Sequence, residues 1–303
     1  MEQLFWEYFR DWIQLYKEGA VRNVTLKKYT MALEWVKKLL PDTKVSELDK
    51  KTYQLMINEY AKDHELETVK GFNTHLKACI ADAIDDGLIE KDPTKKVILK
   101  GKKASDKKPK FLNQYQLHML LEDLELGDSP NWDWLILIIA KTGLRFSEAL
   151  ALTPKDFDFQ NQTLSVNKTW DYKEGGGFAP TKNRSSIRKV RIDWQLVSKV
   201  SALIRDLPED EPIFVKKGKA VFNSTANDVL GRHCKKLGIP VIAMHGLRHT
   251  HASILLYAGA SVASVSRRLG HSNMATTQKV YLHVIQELEN QDVDLMMRSM
   301  SAI

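Results

Sequence analysis

A lysine-rich stretch at residues 91–110 separates two parts of the chain that differ in their sequence patterns. The stretch, KDPTKKVILKGKKASDKKPK, holds nine Lys against two Asp, an excess of 9 − 2 = 7, and Gly101, Ser105 and Pro109 interrupt regular structure. The whole chain carries the same excess, 45 − 38 = 7, so the remainder is formally neutral. Since 303 residues are enough for two domains, we predict that 91–110 is an interdomain linker.

The positive charge of this stretch has two interpretations. Charge concentrated in one flexible segment favours a polyanionic partner, because each phosphate that Lys neutralises releases condensed counterions. The other interpretation is a solvated linker whose like charges repel one another. For a nucleic-acid partner, the predicted contacts are the lysines around the breaker residues, Lys100, Lys102, Lys103, Lys107 and Lys108.

Before the linker, apolar residues recur at helical spacing in four segments. The segments are 4–16, 26–40, 49–61 and 69–84; Pro41 ends the second and Gly87 the fourth. Residues 1–90 are therefore predicted to form a small all-helical domain.

After the linker, helices and strands are mixed. Helices are predicted at about 113–125 and 131–142, and again from about 194, while TLSVNKTW at 163–170 and SIRKVRID at 186–193 have the pattern of strands. The glycines at 175–177 between them predict a β-hairpin with a long, mobile tip. The expected fold is mainly α with a small β-hairpin or sheet, in a domain at 111–285 with a tail at 286–303.

The sequence offers no segment of membrane-spanning length. The longest apolar run, WLILIIA at 134–140, is too short to cross a bilayer, and the acidic residues of the start, MEQLFWEYFRDW, are unlike a signal peptide. Cys79 and Cys234 lie in unlike contexts that are more typical of buried small residues than of a disulfide. These features predict a cytoplasmic protein with no membrane contact.

The stretch HGLRH at 245–249 places two histidines one helical turn apart, as in zinc proteases. Such a site needs a Glu beside the first His as general base, and Gly246 occupies that place. Arg248 would also put a fixed positive charge beside the metal. We therefore predict no metal here, and the plain alternative is histidines that only pack.

Arg and His together are well suited to holding a phosphate, because guanidinium offers a fork of donors and imidazole can donate or accept a proton. Matching groups occur elsewhere in the chain. Arg145 follows an apolar helix in TGLRFSEAL, with Glu148 placed to orient it. In LGHSN, Gly270 can end one helix, and Ser272 or Asn273 can cap the next. His271 would therefore be held at the junction between the two helices. Tyr281 comes ten residues later.

These motifs, in this order, resemble the tyrosine recombinase or phage-integrase family. The resemblance is carried by TGLRFSEALAL, PTKNRSSIRKV, HGLRHTHAS, LGHSN and the tyrosine that follows, over about 111–285. The wording GLRHTHAS is most similar to integrases of phages and conjugative transposons of Gram-positive bacteria. The resemblance implies an all-helical core-binding domain at 1–90 and a mixed α/β catalytic domain at 111–285.

The resemblance also implies roles for six residues. Arg145 and Arg248 match the family's two catalytic arginines, His245 its H-x-x-R histidine, His271 its later histidine, and Tyr281 its nucleophile. Its lysine best matches Lys182; two other lysines of the segment, Lys173 and Lys189, match less well. Glu148 and His249 would hold these groups in position without contacting the phosphate themselves.

The implied chemistry breaks a DNA phosphodiester without metal or cofactor. Tyr281 would attack to form a 3′-phosphotyrosyl bond, His245 is the expected base, the two arginines would hold the phosphate oxygens, and Lys182 would protonate the 5′ oxygen. The implied partners are double-stranded recombination sites of a mobile element, bound by a homotetramer. A type IB topoisomerase-like enzyme or a non-catalytic DNA-binding regulator on this fold are the alternatives.

The end of the chain, IQELENQDVDLMM at 285–297, carries an apolar set at helical spacing. The resemblance implies that such a tail packs on a neighbouring protomer, and packing on its own domain is the alternative.

Overall fold

The computed structural model describes residues 3–102, 111–216 and 218–281, and the backbone divides into two units, residues 1–107 and 108–303. The tail at 285–297 and the lysines at 103, 107 and 108 lie outside the described residues.

Four helices form the first unit, as the apolar spacing predicts. They are α1 (Phe5–Tyr16), α2 (Asn23–Leu39), α3 (Lys50–Asp63) and α4 (Leu66–Asp85). Their apolar faces enclose one core, in which the Tyr53 hydroxyl donates to Asn73 Oδ1 at 2.8 Å. Because Asp49 accepts from the Thr52 amide at 2.7 Å, α3 begins with a side-chain cap.

The described part of the lysine-rich stretch runs along this helical unit. Val97 and Leu99 pack against its core, and the Gln54 side chain makes two hydrogen bonds of 2.9 Å to the backbone of Ile98. The amide of Lys102 donates to His64 O at 2.9 Å. Residues 97–102 are thus fixed to the first unit by both apolar and polar contacts.

The second unit is mainly helical with a small antiparallel sheet, which confirms the predicted fold class. Its helices are α5 (Gln114–Glu122), α6 (Trp132–Thr142), α7 (Phe146–Leu150), α8 (Trp194–Ile204), α9 (Asn223–Lys236), α10 (Met244–Tyr257), α11 (Val262–Leu269) and α12, described over 274–281. Its strands are β1 (Phe157–Asp158), β2 (Thr163–Val166), β3 (Lys168–Trp170), β4 (Phe178–Pro180) and β5 (Arg188–Arg191).

The helix α6 lies at the centre of this unit. Its sequence is apolar almost all round, and it packs against α7, α9 and α10. Helices α6 and α11 both end next to the middle of α10, where Arg248 contacts Gly143 O and Leu269 O.

The predicted hairpin is present, but its connection is more than a loop. Strand β2 pairs with β5 in antiparallel register, with Leu164 opposite Val190, and β1 extends the sheet on the other side of β2. Within the connection, β3 and β4 form a separate two-stranded ribbon, with Trp170 opposite Phe178. The glycines at 175–177 all have positive φ and form its turn, closed by a 2.8 Å hydrogen bond from the Gly176 amide to Asp171 O.

No helix in the described residues is both long and apolar enough to cross a membrane. The two cysteines, Cys79 in α4 and Cys234 in α9, are both buried as free thiols, one in each unit.

Candidate active site

Arg248 lies on α10 and joins the ends of two other helices. Only 2% of the residue is exposed. Its Nη1 donates to Gly143 O at the end of α6 and its Nη2 to Leu269 O at the end of α11, both at 2.7 Å. Carbonyl oxygens at a helix C-terminus carry partial negative charge and so stabilise a buried cation. Burial and the charge of Arg145 lower the pKa of Arg248 to about 9, which leaves it positively charged at neutral pH.

Two glycines make these helix ends possible. Gly143 and Gly270 adopt the left-handed conformation, with φ of +70° and +69°. A Cβ on Gly143 would lie 2.7 Å from His251 Cδ2, and one on Gly270 would lie 2.9 Å from Arg188 Nη1. The close packing around Arg248 therefore depends on glycine at both positions.

Arg145 stands at the start of α7 and is held by Glu148, as the sequence predicts. Its Nη1 donates to Glu148 Oε1 at 2.7 Å, and its amide donates to Oε2 of the same carboxylate at 3.0 Å. A second branch, Nη2, donates to Gly270 O at 3.2 Å. The guanidinium is thus tied both to α7 and to the loop that carries His271.

Arg188 completes this group, although the sequence analysis gives it no role. From β5 it donates to both oxygens of Glu148, at 2.9 and 3.3 Å, and its Nε donates to Arg268 O at 2.7 Å. Alternation along the strand does contain a signal for it. Val190 and Ile192 are buried, so Arg188 belongs to the inward face, where a cation needs a carboxylate partner.

Glu148 is a buried carboxylate shared by two arginines. Burial by itself raises the pKa of Glu148, but the hydrogen bond and charge of Arg188, together with the charge of Arg145, outweigh it, so the pKa lies below its ordinary value. The charge of Glu148 also acts on Arg248, so the site has three guanidinium groups to one carboxylate, and this excess of positive charge suits an anion such as phosphate.

Tyr281 lies on α12 with 2% of the residue exposed, in a small apolar cluster formed by α10, α11 and α12. Burial raises the pKa of Tyr281 to about 12, and the nearby charge of Arg248 opposes that rise. The phenol is thus protonated at neutral pH.

Two histidines of α10 line up towards this phenol. His249 Nδ1 lies 2.8 Å from the Tyr281 hydroxyl oxygen, a contact that the sequence does not anticipate. His245 meets the His249 ring edge to face, with centroids 4.7 Å apart. His245 is exposed, yet desolvation by its neighbours, followed by the charges of Arg248 and Arg145, lowers its pKa.

His271 occupies the junction between α11 and α12, as predicted. Gly270 ends α11, and Asn273 Oδ1 accepts from the Ala275 amide at 2.8 Å at the start of α12. His271 Nδ1 lies 2.7 Å from Thr277 Oγ1. Burial and the charges of Arg248, Arg145 and Arg188 lower the pKa of His271 to about 4, so its ring is neutral at neutral pH.

The lysines occupy more exposed places. Lys182 lies on the bend that leads from β4 to Ser186, whose hydroxyl is 3.4 Å from Arg145 Nη1. In the first unit, Lys100 and Lys102 are exposed, and Lys102 Nζ is 3.7 Å from Asp63 Oδ1. Among the described residues, no three His, Cys, Asp or Glu side chains form a group that could hold a metal ion.

Another histidine of α10, His251, is buried next to the site. It lies between Ala140 O, 2.9 Å from its Nδ1, and Arg268 Nε, which donates to its Nε2 at 2.9 Å. An Nε2 that accepts from Arg268 must be unprotonated, so the ring is neutral. Burial and the charge of Arg268 lower the pKa of His251 to about 3.

The lowered pKa of His251 predicts acid sensitivity. The unfolded chain binds a proton near the ordinary pKa of 6.5 and the folded chain only near 3, so stability falls as pH drops through this window. Between about pH 7 and pH 5, His251 should cost about 2 kcal/mol of unfolding free energy. In urea unfolding of the whole chain at both pH values, His251→Asn should lose less stability over this step than the wild type. His118→Asn, a change at an exposed histidine, should lose as much as the wild type, and an equal loss in all three proteins would contradict the prediction.

Comparison with known proteins agrees with this arrangement. The sequence profile of the Phage integrase family matches residues 110–287, more than half of the chain. The chain is similar to the integrase of Staphylococcus phage L54a, with 25% identity over 315 residues that cover 93% of this chain and 89% of the phage protein. It is also similar to the tyrosine recombinase XerC of Bacillus subtilis strain 168, with 25% identity over 295 residues, 94% of this chain and 93% of that protein.

Among solved structures, the Tn1549 transposon integrase in complex with a circular intermediate DNA shares the fold. The two superpose with a TM-score of 0.76 over 91% of this chain and 94% of that one, at 21% sequence identity.

Proposed function

Because this chain belongs to the phage integrase family and is a site-specific tyrosine recombinase, we propose that Tyr281 is its nucleophile and forms a 3′-phosphotyrosyl bond with DNA. The observation that carries this proposal is the position of the Tyr281 phenol, which lies close enough to Arg248 for that charge to act on its pKa. A buried phenol beside a cluster of arginines is suited to attack on a phosphate and has no evident use in a protein that only binds DNA.

The substrates are double-stranded recombination sites of a mobile element, which the enzyme joins or separates. The similarity to a phage integrase and to a transposon integrase bound to a circular intermediate DNA supports this choice. Recombination between two sites requires four strand cleavages, so the active form on DNA is a homotetramer. The enzyme acts in the cytoplasm. The helical domain at 1–90, the linker at 91–110 and its lysines contact the DNA backbone, and the catalytic domain at 111–285 cleaves it.

Arg145 and Arg248 hold the non-bridging oxygens of the phosphate. Each guanidinium is already fixed by protein oxygens, so little reorganisation is needed when charge develops in the transition state. His271 is neutral, and when the Thr277 hydroxyl donates to its Nδ1, its Nε2–H is left to donate to the phosphate.

Formation of the covalent bond can be tested with nicked half-site DNA, on which the cleaved strand diffuses away and traps the enzyme. The wild type should form a DNA adduct that survives denaturation and needs no metal. Tyr281→Phe should form none, because it lacks the attacking oxygen. An adduct that persists in Tyr281→Phe would overturn the assignment of the nucleophile.

Lys182 is the proposed acid for the departing 5′ oxygen. Lys182→Ala should slow cleavage of ordinary DNA by about 10²-fold, the usual contribution of a positioned acid. A substrate with sulfur in place of that oxygen should be cleaved at nearly the wild-type rate, because a thiolate leaves without a proton. Lys173→Ala, at an exposed lysine next to the ribbon turn, is the control and should cleave both substrates normally. Equal slowing of both substrates by Lys182→Ala would remove Lys182 from this role.

A further inference from the structure

We propose that His249, rather than His245, accepts the phenolic proton of Tyr281 when the tyrosine attacks. This proposal rests on the proposed role of Tyr281 as nucleophile and adds the residue that activates it. It gives a catalytic task to a side chain for which the sequence indicates only support.

The contact between His249 and the Tyr281 hydroxyl has the geometry that a general base needs. His249 Nδ1 is 2.8 Å from the Tyr281 hydroxyl oxygen, which is hydrogen-bonding distance. The ring planes of the two side chains are inclined by 60° with centroids 5.8 Å apart, so the imidazole meets the hydroxyl end of the phenol and does not stack on it. A general base must lie within hydrogen-bond reach of the proton that it removes, and His249 does.

The direction of this hydrogen bond follows from the state of the phenol. Tyr281 is buried among apolar side chains of α10 and α11, and its raised pKa keeps the proton on the oxygen. A protonated phenol donates one hydrogen bond, and a neutral imidazole with its proton on Nε2 accepts it at Nδ1. The resting contact therefore already has the arrangement that proton transfer needs.

His245 is linked to Tyr281 through His249. The structure joins His245 to His249 through an edge-to-face ring contact, and His249 to Tyr281 through the hydrogen bond. His245 is exposed, and because desolvation by its neighbours and the charges of Arg248 and Arg145 lower its pKa, it stands beside His249 as a neutral ring. We assign it the task of holding the His249 ring in position.

The charges of the site explain why Tyr281 would transfer its proton to His249 only when DNA is bound. The titratable groups of the site come from α10, the start of α7, β5 and the loop before α12, and they are His245, Arg248, Arg145, Glu148, Arg188 and His271. Of these, His245 contacts the His249 ring, and the charge of His249 acts on the pKa of His271. Three of the groups of the site carry positive charge and one carries negative charge. A new positive charge on His249 is thus unfavourable until the phosphate adds negative charge between the arginines.

The step is balanced within the site. The O–H bond of Tyr281 breaks, and its proton passes to the Nδ1 lone pair of His249. The phenolate oxygen forms a bond to phosphorus while the bond from phosphorus to the 5′ oxygen breaks, and that oxygen takes a proton from the acid. In rejoining, the 5′ hydroxyl returns its proton to the residue that served as the acid and attacks phosphorus, and Tyr281 leaves and recovers its proton from His249.

The test compares two asparagine variants of the whole 303-residue chain. Single-turnover adduct formation on saturating nicked half-site DNA is followed as a function of pH. Asparagine can accept the hydrogen bond at a similar place but cannot take up a proton. His249→Asn should slow cleavage by about 10²-fold and lose the plateau that the wild type reaches once its base is neutral, since only hydroxide then removes the proton. The matched variant, His245→Asn, should be slowed less and keep the plateau.

Chemical rescue separates loss of a base from loss of folding. His249→Ala leaves space beside the Tyr281 hydroxyl, and added imidazole should restore adduct formation in proportion to its concentration. Imidazole cannot restore a misfolded protein, so rescue would support the proposal even if the variant is less stable.

Three outcomes of these experiments can be distinguished. If Tyr281→Phe forms no adduct but His249→Asn keeps the wild-type rate and pH profile, the proposal for His249 is overturned and the role of Tyr281 stands. If loss of the plateau and rescue by imidazole are found at His245 instead, His245 is the base. If Tyr281→Phe still forms an adduct, both proposals fail.

Discussion

Glu148→Gln should lower the unfolding free energy of the protein by about 3 kcal/mol, because it leaves Arg188, whose side chain is 7% exposed, and the partly buried Arg145 without their counter-charge. Glutamine keeps the volume of the side chain and one oxygen acceptor, so the change removes the charge and little else. Arg145 and Arg188 both depend on this carboxylate, at 2.7 and 2.9 Å. Cleavage should fall as well, because Arg145 then loses the group that orients it towards the phosphate.

Urea unfolding followed by circular dichroism measures the first effect and half-site cleavage the second. Glu122→Gln makes the same chemical change on an exposed helix, where Glu122 pairs with His118, and should change stability by less than about 0.5 kcal/mol. Equal effects of the two changes would show that the buried carboxylate is not what holds the arginines.

Arg248→Lys should reduce the rate of cleavage by about 10³-fold while DNA binding changes little. A lysine keeps one positive charge, but its ammonium cannot hold Gly143 O and Leu269 O in the planar fork that Arg248 uses and also face a phosphate. Loss of a preorganised donor from a transition-state site typically costs about 10²–10³-fold in rate, and here the charge is displaced as well.

The matched control is Arg267→Lys on α11, where the guanidinium is exposed and donates to Ser264 Oγ at 3.3 Å. This variant should cleave as the wild type does. Rates are compared at saturating DNA, with binding measured separately by gel shift. An Arg248→Lys enzyme that cleaves at the wild-type rate would show that the paired carbonyl contacts do not matter for catalysis.

The helices could be predicted because each buries a stripe of apolar residues at regular spacing. The predicted segments 4–16 and 26–40 differ from Phe5–Tyr16 and Asn23–Leu39 by no more than a few residues. The ends of these helices depend on caps and on packing, which a periodic pattern does not determine.

Strand β3 falls within the strand predicted at 163–170, but β4 and its pairing with β3 were missed for a physical reason. Pro180 lacks an amide hydrogen and normally argues against a strand, and the three preceding glycines are typical of a loop. Tertiary pairing overrides both signals, because Trp170 and Phe178 pack edge to face across the ribbon with centroids 5.3 Å apart.

Motif order points to the residues of the candidate site but not to their partners. Glu148 is close to Arg145 in sequence, so that pair could be predicted from spacing on a helix. The contact between His249 and Tyr281 spans 32 residues and depends on how α12 packs against α10, which no local pattern specifies. Arg188 was missed for the same reason, since its partners lie on α7 and α11.

Tyr281 is expected to become covalently attached to DNA. The most direct measurement is mass spectrometry of the peptides from the trapped half-site adduct after nuclease digestion. We expect a nucleotide linked through its 3′ phosphate to Tyr281. A nucleotide linked to any other residue, or joined through a 5′ phosphate, would contradict it.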